Sequence, residues 1–188
     1  MPIAINMKLD LQEKIEIPQG IAISLVKDIL SVKGPKVEIK RCIIMRGFTI
    51  NLEGSAIIFS AKGASKREKR MMKTSISHVK NMIKGIQSPY VYQLKVCYSH
   101  FPMNVSVSNN QLVVKNFLGE KVPRILPLSK EVTVKIEGQV ITVSHADKEL
   151  AGRTASDIEQ LTRISNKDRR VFQDGIHITH KAGVGVSE

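Results

Sequence analysis

Residues 132–144 read "VTVKIEGQVITVS", and residues 48–60 read "FTINLEGSAIIFS". In both stretches apolar and polar residues alternate up to a central Glu-Gly pair, and a second, mainly apolar run follows the pair. Alternation with a period of two indicates a strand with one buried face, and a Gly between two such runs indicates a tight turn. Each stretch therefore predicts a β-hairpin, and the recurrence indicates an internal repeat.

A second pair of matching stretches precedes the first pair in each half of the chain. Residues 21–33 ("IAISLVKDILSVK") lie in register with residues 103–115 ("MNVSVSNNQLVVK"). Both alternate around a polar turn, which is Lys27-Asp28 in the first copy and Asn109-Asn110 in the second. This pattern again predicts a hairpin with one buried face in each half.

Each half continues with apolar residues at helical spacing, in residues 74–86 and in residues 154–164. Strands followed by a helix, in the same order twice, indicate a duplication. The sequence thus predicts an α+β fold of two tandem duplicated domains, each an antiparallel β-sheet packed against one α-helix. We expect the first domain to span residues 1–86 and the second residues 87–178, with a frayed C-terminus at residues 179–188.

The composition is strongly basic. The 188 residues include 29 Lys and Arg against 17 Asp and Glu, for a net charge of +12 and an isoelectric point near 9.8. Such a charge attracts polyanions and is typical of nucleic-acid binding, although a basic protein with a merely solvated surface has the same composition. Aromatic residues make up 4% and Trp is absent, which favours contacts to phosphates and sugars over stacking on unpaired bases.

Cysteine usage and hydropathy predict the cellular compartment of the protein. Cys42 and Cys97 lie in apolar, strand-like segments, where one disulfide is arithmetically possible but two buried thiols in a reducing cytoplasm are expected. The N-terminus has neither an early basic cluster nor an uninterrupted apolar region, so we expect no secretory signal. A run of about 18 apolar residues is also absent, which predicts no membrane-spanning helix.

The sequence offers no constellation for catalysis. It contains none of the motifs HExxH, CxxC, GxSxG or GxxxxGK[ST]. His177 and His180 have the spacing of a weak metal pair, but they lie in a strand-like stretch in which the two side chains face opposite ways. We therefore expect no enzyme activity, cofactor, metal or small-molecule substrate.

Five segments are candidates for contact with a polyanion: four basic segments and "YSHFP" (98–102), which predicts a strand end with a polar tip. Each is also compatible with an ordinary solvated turn. The first three supply the candidate residues Lys33, Lys36 and Arg41 around the Gly-Pro turn of "VKGPKVEIKR" (32–41), Arg67 and Arg70 in an expected basic loop at residues 62–73, and Lys115, Lys121 and Arg124 in "VKNFLGEKVPR" (114–124).

The fourth segment is the tail "NKDRRVFQDGI" (166–176), with Lys167, Arg169 and Arg170. Two adjacent guanidiniums suit bidentate phosphate recognition and repel each other without an anionic partner. We expect Val171 and Phe172 to return the tail to the domain and Arg169 and Arg170 to point outward.

Six ordered motifs carry a resemblance to a known family: "VKGPK", "SHVKNMIKG", "YSHFPMNV", "NFLGEK", "DKELAGRTASDIEQ" and "KDRRVFQDGI". Together they closely resemble the universal ribosomal protein L-six family of the large subunit. The form is the archaeal and eukaryotic one (called L-nine in eukaryotes), and the last two motifs look archaeal. The resemblance covers residues 17–178. It departs from the family at Val37, where a Gly is usual.

The resemblance implies a structural ribonucleoprotein component of translation, cytoplasmic and ribosome-bound, with two similar α+β domains. Its expected partners are large-subunit rRNA, near the stalk base and the factor-binding region, and the neighbouring ribosomal proteins. The family places most RNA contact in its C-terminal domain and tail. This implication points to Lys167, Arg169 and Arg170, and then to Lys115 and Lys121. The alternative is a free-standing RNA-binding chaperone or regulator acting off the ribosome.

Overall fold

The computed structural model describes residues 9–35, 37–168 and 170–183. The chain divides into two compact units, unit 1 at Met1–Ser88 and unit 2 at Pro89–Glu188. Within the described ranges, each unit contains antiparallel sheets and one long α-helix. The predicted α+β class is therefore confirmed.

Unit 1 is built from two three-stranded sheets and one helix. Its elements are β1 (Leu9–Glu16), β2 (Ala22–Val26), β3 (Ile29–Lys33), β4 (Glu38–Cys42), β5 (Thr49–Glu53), β6 (Ala56–Ala64) and α1 (Lys66–Gln87). One sheet has the order β1-β6-β5 and the other the order β2-β3-β4. The apolar face of α1 covers the first sheet, where Met72 and Val79 of the helix are buried with Phe59 of β6.

Unit 2 has a four-stranded and a three-stranded sheet. Its elements are β7 (Tyr90–Cys97), β8 (Asn104–Ser108), β9 (Gln111–Lys115), a 3₁₀ turn (Phe117–Gly119), β10 (Arg124–Pro127), β11 (Thr133–Glu137), β12 (Val140–His145), α2 (Lys148–Leu161) and β13 (Gly175–His180). The sheets have the orders β11-β12-β7-β13 and β10-β9-β8. Ala151, Ala155 and Ile158 of α2 pack into one core with Leu94 and Ile141 of the larger sheet.

The predicted hairpins form in both units. The strands β2–β3 and β8–β9 pair around turns with positive φ, 54° at Lys27 and 50° at Asn109. The strands β5–β6 and β11–β12 pair around Gly54 and Gly138, whose φ values are 53° and 60°. Positive φ at these positions is what two-residue hairpin turns require, and Gly and Asn adopt it at least cost.

The expected basic loop at residues 62–73 is wrong. Strand β6 continues to Ala64 and α1 begins at Lys66, eight residues before the predicted start of the helix. Ser65 is the N-cap, and it forms a capping box with Glu68, whose carboxylate accepts the Ser65 backbone N–H and hydroxyl. The Lys, Arg and Met residues that follow are good helix formers, so the basic stretch extends the helix.

The ends of the second repeat also differ from the expectation. Helix α2 begins at Lys148, after the N-cap Asp147, and ends at Leu161, before the predicted end at residue 164. Strand β13 pairs with β7 and continues to His180, and Ala182 is buried. Strand pairing therefore extends to His180, because the added strand satisfies the backbone groups of these residues.

Both cysteines are free thiols, and neither is fully buried, so the expectation of two buried thiols is wrong. Cys42 is exposed at the end of β4, and Cys97 is partly buried at the end of β7. Cys42 pairs with Ile29 on the outer face of its sheet, which points away from the core.

Candidate nucleic-acid interface

The tail between α2 and β13 is a tight turn organised by Asp168. Its carbonyl accepts the N–H groups of Phe172, at 2.9 Å, and Val171, at 3.2 Å, and its carboxylate accepts the N–H of Arg170 at 2.9 Å. The side-chain hydrogen bond from Arg170 is the main reason why the pKa of Asp168 is lowered. Asp168 therefore fixes the backbone from which the side chain of Arg170 projects.

Arg170 projects from this turn into solvent, with 90% of its side chain exposed. Its Nη2 lies 2.8 Å from Oδ2 of Asp168, and its Nε lies 3.2 Å from both carboxylate oxygens. The ion pair restrains the guanidinium while leaving one edge open to an anion. Arg169 lies outside the described residues, so the expected pair of guanidiniums is described only through Arg170.

The buried carboxylate of Asp174 anchors the tail. The residue is 1% exposed and accepts hydrogen bonds from Ser99 Oγ (2.9 Å), Ser99 N (3.2 Å), His100 N (3.1 Å) and His100 Nδ1 (3.0 Å). Burial alone would raise the pKa of Asp174, but the hydrogen bonds from His100 and Ser99 outweigh it and hold that pKa well below its ordinary value.

The apolar residues of the tail behave unequally. Phe172 packs against His100, with ring centroids 4.8 Å apart, and Lys167 Nζ lies 4.7 Å from the centroid of the same ring. Val171, expected to help return the tail to the domain, is 59% exposed, so that expectation is wrong. Asp174 and Phe172 hold the tail, and Lys167 is placed at its surface by the ring of Phe172.

An open cavity of about 870 Å³ lies between the tail, the end of α2 and the end of β7. Two of its lining side chains are carboxylates, Asp174 and Glu159, and the latter accepts the N–H of Ile178 at 3.0 Å. Arg163 also lines the cavity, but the two carboxylates repel phosphate. Lys167 and Arg170 are exposed and do not line the cavity, so the candidate phosphate contacts of the tail lie outside it.

The candidate residues around the "NFLGEK" segment, which follows β9, differ in how far they are available to an anion. Lys115 and Lys121 are exposed, whereas the guanidinium of Arg124 lies over the Phe117 ring at 4.3 Å. Arg124 also forms a bidentate ion pair with Glu120, at 2.6 and 2.8 Å, and its Nη1 lies 2.7 Å from the last carbonyl of α2. Arg124 therefore braces unit 2 internally, and its N–H groups are largely occupied.

The candidates in unit 1 also differ in orientation. Lys33 is exposed at the end of β3, but Arg41 faces the core side of its sheet, paired with the buried Leu30, and its Nη2 lies 3.4 Å from His78 of α1. Lys36 lies outside the described residues. Arg41 is thus directed to the helix and not to the outer surface.

Arg67 and Arg70 are exposed on the first turns of α1. The cationic surface continues beyond the predicted basic segment to Lys80 and Lys84, which are exposed on the same helix. Sequence reasoning missed these two residues. Lys80 follows Ser77 by three residues and Lys84 follows Lys80 by four, so an extended helix places both on the same face as the earlier basic residues.

The described residues contain no group of three or more His, Cys, Asp or Glu side chains placed to hold a metal ion. Among the same residues, no helix is both long and apolar enough to cross a membrane. What the surface does offer is exposed Lys and Arg side chains on ordered turns and on one long helix, an arrangement suited to phosphate.

Comparison with known proteins gives a consistent result along the chain. Residues 17–88 and 101–175 match the model of the family described as Ribosomal protein L6. The chain is 46% identical to large ribosomal subunit protein uL6 of Nanoarchaeum equitans, over 93% of this chain and 95% of that protein. It is 41% identical to uL6 of Methanosarcina mazei (94% of this chain, 100% of that protein) and 38% identical to uL6 of Methanococcus vannielii (97% and 98%).

Proposed function

The chain belongs to the ribosomal protein L6 family of the large ribosomal subunit, and on that premise we propose that it binds large-subunit rRNA through its exposed basic turns and its C-terminal tail. As a member of this family it is a structural protein and not an enzyme. The proposal places it in cytoplasmic ribosomes near the stalk base and the factor-binding region, beside neighbouring ribosomal proteins.

The observation that carries the RNA-binding proposal is the construction of the tail. A buried carboxylate, Asp174, fixes a turn from which Lys167 and Arg170 face solvent. Ordered cations lose less conformational entropy on binding than flexible ones, so they suit phosphates held at fixed positions in folded RNA. Phosphate contacts then fix the register, and the shape of the RNA supplies specificity.

The candidate residues divide into two groups under this proposal. Lys115, Lys121, Lys167 and Arg170 are exposed in unit 2 and are proposed to contact phosphate. Arg124 is assigned to the interior of the unit, because its guanidinium is engaged by its own chain.

The test is the salt dependence of binding to large-subunit rRNA. The double variant Lys167→Gln, Arg170→Gln should make the negative slope of log K against log salt shallower by about 1.4–1.8, at roughly 0.7–0.9 for each phosphate contact. The matched control, Lys130→Gln with Lys135→Gln, removes the same charge from exposed positions in unit 2 away from the tail. Equal slopes for wild type and tail variant would refute the tail assignment.

Sedimentation separates a ribosomal constituent from a free-standing RNA-binding regulator. If the protein is a constituent, purified large subunits washed in high salt retain it at a fixed ratio to rRNA. A regulator acting off the ribosome is recovered in the supernatant, and that result would contradict the proposal.

A further inference from the structure

The net charge is unevenly divided between the two units. Residues 1–88 contain 16 Lys and Arg against 7 Asp and Glu, a net charge of +9, whereas residues 89–188 contain 13 against 10, a net charge of +3. The tail and turns of unit 2 therefore account for a minor share of the positive charge. The larger positive charge of unit 1 should therefore attract an anionic partner of its own.

Helix α1 concentrates this charge in one row on its solvent face. Five of its seven exposed cations recur at intervals of three and four residues, with Ser77 at the one vacant step, and Arg67 and Lys69 lie beside this row. At 100° per residue the five fall within a band of about 80°, and the row is about 27 Å long at 1.5 Å per residue. We call this row the α1 ridge, and it consists of Lys66, Arg70, Lys73, Lys80 and Lys84.

The α1 ridge is poorly neutralised by the protein itself. Lys73 forms an ion pair with Glu13 of β1. Among the described residues, the other four cations have no acidic partner within ion-pair distance. The one acidic residue of α1, Glu68, is occupied by the capping box at Ser65. Like charges at these spacings destabilise a helix, so an anion along the ridge relieves a repulsion that the free protein retains.

The chemistry of the ridge selects among possible anionic partners. The apolar face of α1, which includes Met72, Val79 and Met82, is buried against the sheet, so the helix has no free apolar face to insert into a membrane. The helix contains no Phe, Tyr or Trp on which unpaired bases could stack. A row of cations without apolar residues also lacks the apolar centre of a protein–protein interface.

We propose that the α1 ridge binds the phosphate backbone of base-paired large-subunit rRNA, as a second RNA contact made by unit 1 in addition to that of unit 2. This inference rests on the proposed function, because it takes rRNA as the polyanion available to the chain. A row of cations about 27 Å long on one helix can face several successive phosphates, because the phosphates of a duplex backbone are closely and regularly spaced.

The experiment uses the full chain and large-subunit rRNA, with a variant that neutralises four of the five ridge cations. The ridge variant carries Lys66→Gln, Arg70→Gln, Lys80→Gln and Lys84→Gln, and it leaves Lys73 in its ion pair with Glu13. Gln preserves helix propensity, and far-ultraviolet circular dichroism verifies that α1 is retained. The matched control removes four exposed charges from unit 2 by Lys95→Gln, Lys130→Gln, Lys135→Gln and Lys181→Gln.

Loss of four phosphate contacts should make the negative slope of log K against log salt shallower by about 2.8–3.6. Between 50 and 200 mM salt, wild-type affinity should then fall about 50- to 150-fold more than that of the ridge variant. The control should retain the wild-type slope. If the control loses as much slope as the ridge variant, the effect comes from net charge and the assigned contact is wrong.

A photo-crosslinker at the vacant step of the ridge tests direct contact. Ser77→Cys, in a Cys42→Ser background that removes the exposed thiol, carries the probe into reconstituted large subunits. Crosslinks to paired rRNA nucleotides are expected, and crosslinks confined to protein would overturn the inference. If wild type itself fails to bind rRNA, the proposed function fails. If wild type binds and the ridge variant matches it in affinity and slope, only the ridge inference fails.

Discussion

Replacing Asp174 with asparagine should destabilise unit 2 far more than its place in a C-terminal tail suggests. The carboxylate is 1% exposed, and each of its oxygens accepts N–H or O–H groups from Ser99 and His100. Asparagine has nearly the same size, but one of the two oxygens becomes an NH₂ group that cannot accept a hydrogen bond. The substitution therefore tests hydrogen bonding and charge with little change in volume.

The size of the effect follows from the contacts that are lost. If the amide oxygen keeps the position of Oδ1, its NH₂ group faces the backbone N–H of His100, which now bonds Oδ2 at 3.1 Å. A hydrogen bond to a charged group contributes about 1.5–3 kcal/mol, and a buried N–H left unsatisfied costs about 1–3 kcal/mol. We expect a loss of about 3 kcal/mol, which lowers the melting temperature of a domain of this size by roughly 12–24 °C.

The pH dependence has a definite sign. Because the folded-state pKa of Asp174 is depressed, its contribution to stability is complete above the unfolded-state pKa of about 3.9 and is lost as pH falls toward the folded-state value. The stability difference between wild type and Asp174→Asn should thus be constant above about pH 5. It should shrink progressively as the solution is acidified below about pH 4.

Urea unfolding followed by tyrosine fluorescence measures this difference selectively. All three tyrosines, Tyr90, Tyr92 and Tyr98, lie in unit 2, and the chain has no Trp. A loss of 3 kcal/mol should lower the urea midpoint by roughly 1–3 M. The control is Asp168→Asn, which removes an exposed carboxylate of the same tail. Equal midpoints for the two variants, or a difference unchanged at acid pH, would refute the anchoring role of the Asp174 carboxylate.

Three further predictions test contacts and turns within the individual units. Arg124→Met should lower the stability of unit 2 by about 2 kcal/mol, from its lost ion pair and its lost bond to α2, with the salt slope of rRNA binding unchanged. Gly47→Ala should lower the free energy of unfolding of unit 1, measured in urea, by about 2–3 kcal/mol, because φ is 78° and the added Cβ collides with Glu68 of the capping box. Its control, Gly54→Ala, meets no atom within 4 Å and should lower that free energy by only about 1–2 kcal/mol. Asn110→Ala should lower the melting temperature of unit 2 while Asn110→Gly leaves it nearly unchanged, since φ is 57° there.

The elements that sequence reasoning located well are those specified by neighbouring residues. The hairpins at residues 48–60 and 132–144 follow from alternation and from a Gly at the turn, and both features are local. The start of α1 was missed for a related reason. The run of charge at residues 62–73 drew attention to solvation, while the capping box of Ser65 and Glu68 was the stronger local signal.

The candidate interface was harder to predict, because exposure of a cation depends on residues distant in sequence. Arg124 and Arg170 are equally basic in the sequence. Arg124 is engaged by the end of α2, 37 residues away. Arg170 projects from a turn that is anchored by Asp174, which contacts Ser99 and His100, more than 70 residues earlier in the chain. No local pattern distinguishes them.

The sequence by itself determined the duplication, the α+β class, the hairpin turns and the attraction to polyanions, because periodicity, turn residues and net charge are properties of short segments and of composition. Only the tertiary structure decided which cations face outward. It turned Arg41 toward α1, buried Asp174 as the anchor of the tail and left Val171 exposed. The physical reason is that burial and hydrogen bonding are decided where distant segments pack together, and the free energy of a charge depends on those surroundings.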